Sequence, residues 1–559
     1  MKIRYLLIII IISLTISGCI PDDHINDEPP FDVTETVETS IEPTEQSQLA
    51  TVEPTKEVIN EEIAIWAAEY LPTDLYSFIS EIPDYKIVEN REEAELIIEI
   101  GDSNPFTDFV FTLAAPFPTI TDGVGFEVVE AVWGGTPQPV IGIDKIIVSE
   151  EYFAILTNLL GEPNSSTVLE MDETEMLNFA WENENTWAIL LFEQLSPKWK
   201  VISVDDQSPI WNDFQIESYP LNITISISGD EGLLDNIQDL IETLIPEKFS
   251  RDEELLTTVI LTGVTAMTRG TAWEMDLYGV LFPGEYLGEL LRSADITHIS
   301  NEVPFVENCP EPSPDQPGYV FCSDPSYIEL LEFVGTDIVE LTGDHFGDYS
   351  SEDVLTTFEM YEERGWQYYG AGVDIESGRQ AVTTEHNGNQ IAFIGCNAKG
   401  DIYTPTNWGQ PGSVECDFDW LSEEVRRLKE EGYLVISTFQ HEEEYKFNPW
   451  WKLKNDFRMM AEAGADIVSG SQAHQPHGVE FFGDSLMMFG LGNLFFDLVY
   501  GGEHLDEGLI ARHVFYNNKY ISTEIFTIKF ISYSQPRLMT ESERYELLKE
   551  LFEVSGWQQ

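Results

Sequence analysis

The feature that most constrains the fold of this 559-residue chain is a short apolar run followed by histidines near its C-terminus. Residues 466–469 form this largely apolar run, and they come directly after a helix-like segment, 450–463. A helix followed by such a run is typical of a strand in a β/α unit. His474 and His477 follow the strand. Because α/β proteins carry out their chemistry just beyond the carboxyl ends of strands, the pattern predicts a functional site on an α/β fold.

Composition predicts a globular protein of two or more domains that does not bind nucleic acid. Hydrophobic residues make up 43% of the chain and aromatic residues 12%, which is ample for sizeable cores. The 28 Lys and Arg residues stand against 101 Asp and Glu residues, so the formal net charge is −73. A surface this acidic repels nucleic acid and anionic lipid headgroups.

The N-terminus has the pattern of a lipoprotein signal peptide, residues 1–19. Lys2 and Arg4 precede an apolar stretch, 6–16, that is too short to span a bilayer permanently. The stretch leads into Ile-Ser-Gly-Cys, ending at Cys19, which resembles the lipobox of bacterial lipoproteins. Cleavage before Cys19 and lipidation of its thiol would anchor the protein on the extracytoplasmic face of the cell membrane.

Four further cysteines predict two disulfides, because an even number outside the cell is typical of disulfide pairing. Three pairings are compatible with the sequence. We favour Cys309–Cys322 and Cys396–Cys416, since each pair brackets a loop rich in Pro or Gly.

The rest of the chain divides into four predicted parts. Residues 20–56 are rich in Pro, Glu, Asp, Thr and Ser and form a predicted disordered, acidic linker. Residues 57–245 alternate apolar strands with helix-like stretches, including 61–71, and predict an α/β domain. Residues 256–535 form a second domain, and residues 536–559 form a charged C-terminal helix.

The first domain is weakly similar to solute-binding proteins of the phosphate-binding type. Residues 114–135 carry the pattern of a strand, a Pro-containing loop, a helix and a Gly turn on which this similarity depends. Two interpretations stay open: a receptor that binds a small anion, and a degenerate spacer domain.

The second domain repeats the pattern of polar residues just after predicted strands. Arg269 follows the strand 257–262, and Glu302 follows the strand 296–299. The sequence Gly-Asp-His at 343–345 is followed by Asp348. Further along the chain, His441 and Glu444 follow the strand 434–439, and Asn493 ends the sequence Gly-Leu-Gly-Asn.

Together these motifs resemble the capsule-synthesis protein CapA family over residues 256–535. The resemblance implies a role in making or releasing poly-γ-glutamate and a calcineurin-like metallophosphatase fold. The predicted fold class is therefore α/β, with a C-terminal four-layer metallophosphatase-like domain preceded by a solute-binding-protein-like α/β domain. Implied partners are the membrane through the lipid anchor, a capsule or poly-γ-glutamate synthesis complex, and an anionic polymer or small anion.

The resemblance also implies roles for individual residues. A divalent metal (Mn, Zn or Mg) would take its ligands from Glu302, Asp344, His441 and His474. The implied catalytic residues are His345 as general acid, Arg269 as a clamp for an anionic group, and Asp348. The implied substrate-binding residues are Glu444, His477 and Asn493.

Five positions depart from the family pattern, and two of them are Gly343 and Asp344, which replace two Asn. Val264 stands where the family has a metal-binding Asp, and a valine offers no oxygen to a metal. Ser300 and Gln472 replace an Asn and a His. Two functions therefore stay open for this domain. One is metal-assisted hydrolysis or transfer during synthesis or export of the polymer, and the other is a catalytically degenerate scaffold that binds the polymer or a partner.

Overall fold

A computed structural model of the protein describes residues 62–557, apart from 235–236, 238–250 and 471–472. The predicted signal peptide with Cys19, the predicted linker and Gln472 lie outside the described residues. Glu61–Gln559 form a single compact unit. Among the described helices, none has the length and apolar character needed to cross a membrane.

The N-terminal part of this unit contains a ten-stranded sheet and, among helices whose whole length is described, four α-helices. Its strands are β1 (Ile63–Ala67), β2 (Tyr85–Ile87), β3 (Leu96–Ile100), β4 (Pro105–Pro116), β5 (Gly123–Val124), β6 (Lys145–Ser149), β7 (Val168–Met171), β8 (Thr186–Leu191), β9 (Trp199–Val204) and β10 (Asn222–Gly229). Its helices are α1 (Thr73–Ser80), α2 (Phe126–Trp133), α3 (Glu150–Leu160) and α4 (Glu173–Glu182). The strand order is β2-β1-β3-β10-β4-β8-β6-β7, with β9 beside β4 and β5 beside β9.

The helix predicted over 61–71 is wrong, because the segment contains strand β1. This strand pairs in parallel with β2 on one side and β3 on the other. Ile65 at its centre is fully buried. A parallel strand that is covered on both faces has no alternation of polar and apolar residues, so a short run of this kind resembles a helical stretch in sequence.

The remainder of the unit contains an eight-stranded sheet and a six-stranded sheet, which are the two larger sheets of this C-terminal part, and one small two-stranded sheet. The strands are β11 (Leu256–Thr265), β12 (Ile296–Asn301), β13 (Ile338–Glu340), β14 (Gln367–Tyr369), β15 (Ala371–Gly372), β16 (Val382–His386), β17 (Asn389–Asn397), β18 (Gly412–Ser413), β19 (Leu434–Gln440), β20 (Ile467–Gly470), β21 (Val479–Phe482), β22 (Ser485–Met488), β23 (Asn493–Phe495), β24 (Glu507–Tyr516), β25 (Lys519–Phe530) and β26 (Pro536–Leu538). The eight-stranded sheet has the order β14-β13-β12-β11-β24-β25-β26, with β23 beside β11. The six-stranded sheet has the order β16-β17-β19-β20-β22-β21, and β15 pairs with β18.

Helices cover the outer faces of both larger sheets. The helices of this part are α5 (Arg269–Tyr278), α6 (Gly288–Arg292), α7 (Ile328–Phe333), α8 (Ser351–Glu362), α9 (Ile375–Gly378), α10 (Phe418–Glu430), α11 (Trp451–Ala463) and α12 (Glu541–Val554). Helices α5–α8, α10 and α11 lie on these outer faces, whereas α12 packs against the cluster between the sheets. One apolar cluster lies between the sheets and includes Val259 of β11 and Phe393 of β17. A second joins the other face of the eight-stranded sheet to α5–α8, and a third joins the other face of the six-stranded sheet to α10 and α11. The predicted α/β class is thus confirmed as a mixed α/β fold with several sheets.

Local sequence explains the ends and faces of these helices. The apolar stripe of α10, formed by Leu421, Val425 and Leu428 at i, i+4 and i+7, is buried. Helix α8 begins beside Ser350, whose hydroxyl accepts a hydrogen bond from the amide of Asp353 in a capping box. Within 536–559, where a C-terminal helix was predicted, strand β26 comes first and helix α12 follows it over Glu541–Val554.

Both predicted disulfides are confirmed. Cys309–Cys322 and Cys396–Cys416 are bonded, and each pair closes one loop beside an end of a strand or helix. Cys396 lies in β17, one residue before that strand ends, so its disulfide ties the following loop to the sheet.

Candidate functional site

The predicted site residues come from strand ends at one edge of the two larger sheets. Strands β11 to β14 are parallel in the first sheet, and β17, β19, β20 and β22 are parallel in the second. Asn397 at the end of β17 joins the two edges, because its amide donates to the Thr342 carbonyl and to Gln440 Oε1, both at 2.7 Å. Gln440 in turn donates to Asp344 Oδ1 at 2.7 Å.

Glu302, Asp344 and His345 form the centre of the site. One ligand atom from each lies within 4.8 Å of the others, and both carboxylates are buried. Gly343 makes this approach feasible, since a Cβ at this residue would lie 2.8 Å from the Cα of Glu302. Burial raises the pKa of Asp344, but the positive charges of His345 and Lys399 outweigh burial and lower the pKa to about 2.

Lys399 binds two carboxylates of the site. Its Nζ donates to Asp344 Oδ2 at 2.5 Å and to Glu443 Oε1 at 2.7 Å. The side chain of Lys399 is 12% exposed. Burial opposes its charge, but Asp344 and Glu443 raise the pKa of the ammonium well above its ordinary value. This site therefore contains a resident positive charge between carboxylates from two different sheets.

His345 is held by Asp348, its partner in the predicted motif. Its Nδ1 lies 2.7 Å from Asp348 Oδ2, which also accepts a hydrogen bond from the amide of Phe321. Burial lowers the pKa of His345, but the hydrogen bond to Asp348 and the charges of Glu302 and Asp344 raise it to about 9. At neutral pH the imidazole is consequently protonated and able to donate a proton.

Arg269 and His345 both contact the ring of Phe321. The Phe321 ring centroid is 4.5 Å from the His345 ring and 5.8 Å from the Arg269 guanidinium carbon. Arg269 Nε lies 3.6 Å from Asp497 Oδ2, and its φ is +49°. A left-handed backbone at a non-glycine residue is uncommon and is often associated with a functional position.

His474 and Asn493 form a buried pair at the same edge. Asn493 Oδ1 lies 2.9 Å from His474 Nδ1, and the Asn493 amide donates to the His474 carbonyl at 3.2 Å. These bonds hold His474 at a φ of +50°. His474 Nε2 lies 4.0 Å from Glu443 Oε2, and burial lowers the pKa of His474 although Glu443 raises it.

The three other predicted residues have their own partners. His441 Nε2 lies 2.9 Å from Asp456 Oδ2, and its Nδ1 accepts a hydrogen bond from the amide of Glu442. Glu444 accepts a hydrogen bond from the amide of Trp450, just before α11. Buried His477 contacts the Glu444 carbonyl through Nε2 at 3.0 Å. For His441 to bind a metal, one of these two nitrogens would have to exchange its partner.

Val264 packs in a small apolar cluster beside the site. It is 1% exposed and its amide donates to the Gly492 carbonyl at 2.9 Å. Phe321 and Phe496 belong to the same cluster. The position where the resemblance places a metal-binding carboxylate is therefore dry and apolar.

The described contacts do not fit a divalent metal bound to Asp344. Such a metal lies about 2.0–2.2 Å from a carboxylate oxygen, and the Lys399 ammonium is 2.5 Å from one Asp344 oxygen while Gln440 binds the other. Two cations that close repel each other strongly in a buried site.

Sequence reasoning missed Lys399, Glu443 and Gln440. Each follows or ends a strand, β17 for Lys399 and β19 for the other two. Their sequence pattern is the same as that of the predicted site residues, because each is a polar side chain at or just beyond the end of a strand. Lys399 lies two residues beyond Asn397, the last residue of β17.

The fold and the site together define a mixed α/β protein with an ionic site at the ends of parallel strands. The C-terminal part of the chain is similar to known proteins. Residues 258–498 match the family model of the bacterial capsule synthesis protein PGA_cap. This part of the chain is thus a CapA-like segment, as the strand-end motifs indicated.

Two curated relatives share part of their length with this chain. The capsule biosynthesis protein CapA of Bacillus anthracis is 23% identical over 264 residues, which are 46% of this chain and 63% of the relative. The PGA biosynthesis protein CapA of Bacillus subtilis (strain 168) is 21% identical over 171 residues, 30% of this chain and 45% of the relative. The chain therefore spans less than two thirds of the length of these relatives.

Solved structures show only weak likeness. An ABC-type phosphate transport receptor from Vibrio cholerae is 11% identical and covers 33% of this chain and 94% of its own, at a TM-score of 0.27. The NAD nucleotidase NadN of Haemophilus influenzae is 12% identical and covers 53% of this chain and 55% of its own, at a TM-score of 0.29. Scores this low support no conclusion about fold or ligand.

Proposed function

We propose that this protein is a CapA-like protein, lipid-anchored on the extracytoplasmic face of the cell membrane, that acts in the synthesis or export of poly-γ-glutamate or a related capsule polymer. The observation that carries the proposal is the match of residues 258–498 to a capsule synthesis family. The convergence of Glu302, Asp344 and His345 at strand ends supports it, because these residues belong to the motifs on which the resemblance depends.

We also propose the four-layer metallophosphatase arrangement for the C-terminal part. Its support is that an apolar cluster lies between the two larger sheets while helices pack on both outer faces. Metal-assisted hydrolysis or transfer at the candidate site is part of the same proposal. Here that chemistry would require Lys399 to leave Asp344 and Glu443.

A binding function without that chemistry is the second candidate, and the Lys399 contacts favour it. Lys399, His345 and Arg269 supply positive charge at one edge of a protein whose net charge is −73. An anionic polymer is repelled by the overall charge, so it would be bound only where cations are concentrated. These cations also face Glu302, Asp344 and Glu443, so a carboxylate of the polymer would have to be bound by Arg269 and by the outward side of Lys399.

Polymer binding tests the proposal directly. We would measure the binding of fluorescent poly-γ-glutamate to the full-length protein in detergent at 150 mM salt. We expect binding to weaken at least tenfold in Arg269→Gln and to stay unchanged in the control Lys519→Gln, which replaces an exposed lysine. Equal binding of a neutral polymer, or no binding of poly-γ-glutamate at all, would count against the proposal.

Membrane anchoring through Cys19 needs its own test, since this residue lies outside the described structure. We would express the full chain in a bacterial host and compare it with Cys19→Ser by membrane fractionation and mass spectrometry. The proposal expects an acyl modification and membrane association that both disappear in the variant. Its partners would then be the membrane and a polymer synthesis complex.

A further inference from the structure

Lys399 is fixed by contacts on its backbone as well as on its ammonium. Its amide donates to Asn397 Oδ1 at 2.9 Å, and Asn397 is bound to Gln440 and to the Thr342 carbonyl. The Lys399 Nζ also lies 5.1 Å from the ring centroid of Tyr403, within reach of a cation–π interaction. A lysine usually keeps its head group in water, so one fixed on three sides is unusual.

The ammonium does what a metal ion does in sites of this kind, because it holds carboxylates together. Asp344 and Glu443 follow strands of different sheets, and the only described atom that bonds to both is Lys399 Nζ. Glu302 adds a further carboxylate next to Asp344. Without a cation, carboxylates this close would repel each other, and burying them would be costly.

We propose that Lys399 is the resident cation of this site, that it takes the place of a divalent metal, and that it binds a carboxylate oxygen of an anionic ligand. An ammonium has three N–H donors, and its described hydrogen bonds use two of them. The side chain is 12% exposed, so the third donor can meet a ligand at the mouth of the site. The identity of the ligand as a polymer carboxylate rests on the proposed function, whereas the replacement of the metal does not.

Val264 agrees with this inference through a separate observation. A metal centre needs oxygen or nitrogen donors around most of the ion. The apolar cluster of Val264, Phe321 and Phe496 closes one side of the site with carbon atoms. An ammonium tolerates such a neighbour, because its donors can all point toward the oxygens on the other side.

The first test is metal binding by the unaltered protein. The full-length protein in detergent would be titrated with Mn²⁺ and with Zn²⁺ by calorimetry, and bound metal would be counted by mass spectrometry after dialysis. We expect less than 0.1 equivalent of metal at this site. One or more equivalents that disappear in Asp344→Asn would overturn the inference.

The second test removes the ammonium. Lys399→Met keeps the length of the side chain without its charge, and Lys399→Arg keeps the charge. If Lys399 replaces a metal, Lys399→Met exposes carboxylates that bind Mn²⁺ at least tenfold more tightly than the wild type, and adding Asp344→Asn abolishes the gain. Lys399→Arg should gain nothing. If Lys399→Met folds but shows no gain in Mn²⁺ binding, the lysine is an ordinary ion pair and the inference is wrong.

The ligand requires a separate measurement, so that the two proposals can fail independently. Poly-γ-glutamate binding is measured for the wild type, Lys399→Arg and the control Lys519→Met, whose lysine is exposed. We expect Lys399→Arg to retain at least a third of the affinity of the wild type. If the wild type binds no polymer, the proposed function fails while the metal titrations still decide the role of Lys399. If Lys399→Met does not fold, the wild-type titration and Lys399→Arg decide it.

Discussion

Replacing Asp348 by asparagine should lower the pKa of His345 and weaken the pH dependence of stability. The pKa of His345 is about 9, against 6.5 for an ordinary imidazole. Burial acts to lower it, and the hydrogen bond to Asp348 is the largest of the contributions that raise it. Asparagine keeps an oxygen that can accept from Nδ1 but carries no charge, so it isolates the electrostatic part of this contact.

The size of the effect follows from the pKa difference. Each pKa unit corresponds to about 1.4 kcal/mol, so the rise from 6.5 to about 9 corresponds to about 3 kcal/mol of unfolding free energy. The His345 side chain is 16% exposed, so solvent screens this energy only in part. Because the pKa is raised in the folded state, this stabilisation is fully present below about pH 6.5 and is lost as the pH rises through 9. Asp348→Asn should remove about 1 kcal/mol or more of it.

Histidine NMR is the direct assay for this prediction. The chain has nine histidines, and His345→Gln would identify the resonance of His345 among ¹³Cε1-labelled imidazoles. Urea unfolding at pH 6 and pH 9.5 gives the matching change in stability, with the exposed Asp419→Asn as control. The reasoning is refuted if His345 titrates near pH 6.5 in the wild type, or if its titration is the same in Asp348→Asn.

Two further predictions concern the packing around the site. Gly343→Ala should destabilise the protein by about 1–3 kcal/mol in urea unfolding, because the added Cβ would lie 2.8 Å from backbone atoms of Glu302. The control is Gly502→Ala, whose added Cβ would have no atom nearer than 3.4 Å, and it should change the unfolding free energy by less than half as much. Replacing Cys396 and Cys416 by serine should cost about 3 kcal/mol, since the disulfide closes a loop of 20 residues. A thermal midpoint unchanged by this double substitution would contradict the second prediction.

Sequence patterns located most of the candidate site because strands and polar residues are both local signals. Glu302, Asp344 and His345 each follow a short apolar run, and the ends of parallel strands meet at one edge of a sheet. Bringing the two sheets together is a tertiary event, and no local pattern specifies that Asn397 bonds to the loop after β13. For this reason the sequence indicated which residues lie at the edge but did not indicate which of them pair.

Glu443 and Glu444 show where local reasoning ends. The two residues are adjacent in a run of three glutamates, and composition cannot distinguish them. The backbone after β19 directs Glu443 toward Lys399, whereas Glu444 binds the amide of Trp450 beside α11. A turn without Gly or Pro signals carries no rule that predicts which side chain faces inward.

Val264 and Lys399 are best understood together, although 135 positions separate them in the chain. A carboxylate at 264 would add negative charge to a site that already contains Glu302, Asp344 and Glu443, and one ammonium could not balance it. With valine at this position the ammonium of Lys399 faces Asp344 and Glu443, with Glu302 beside them, and no further carboxylate adds to their repulsion. The two residues therefore form a consistent pair, and Val264→Asp alone should destabilise the protein unless it also acquires a metal ion. Combining Val264→Asp with Lys399→Met should bind Mn²⁺ more tightly than either single variant, because only the double variant has both the donors and the room for the ion.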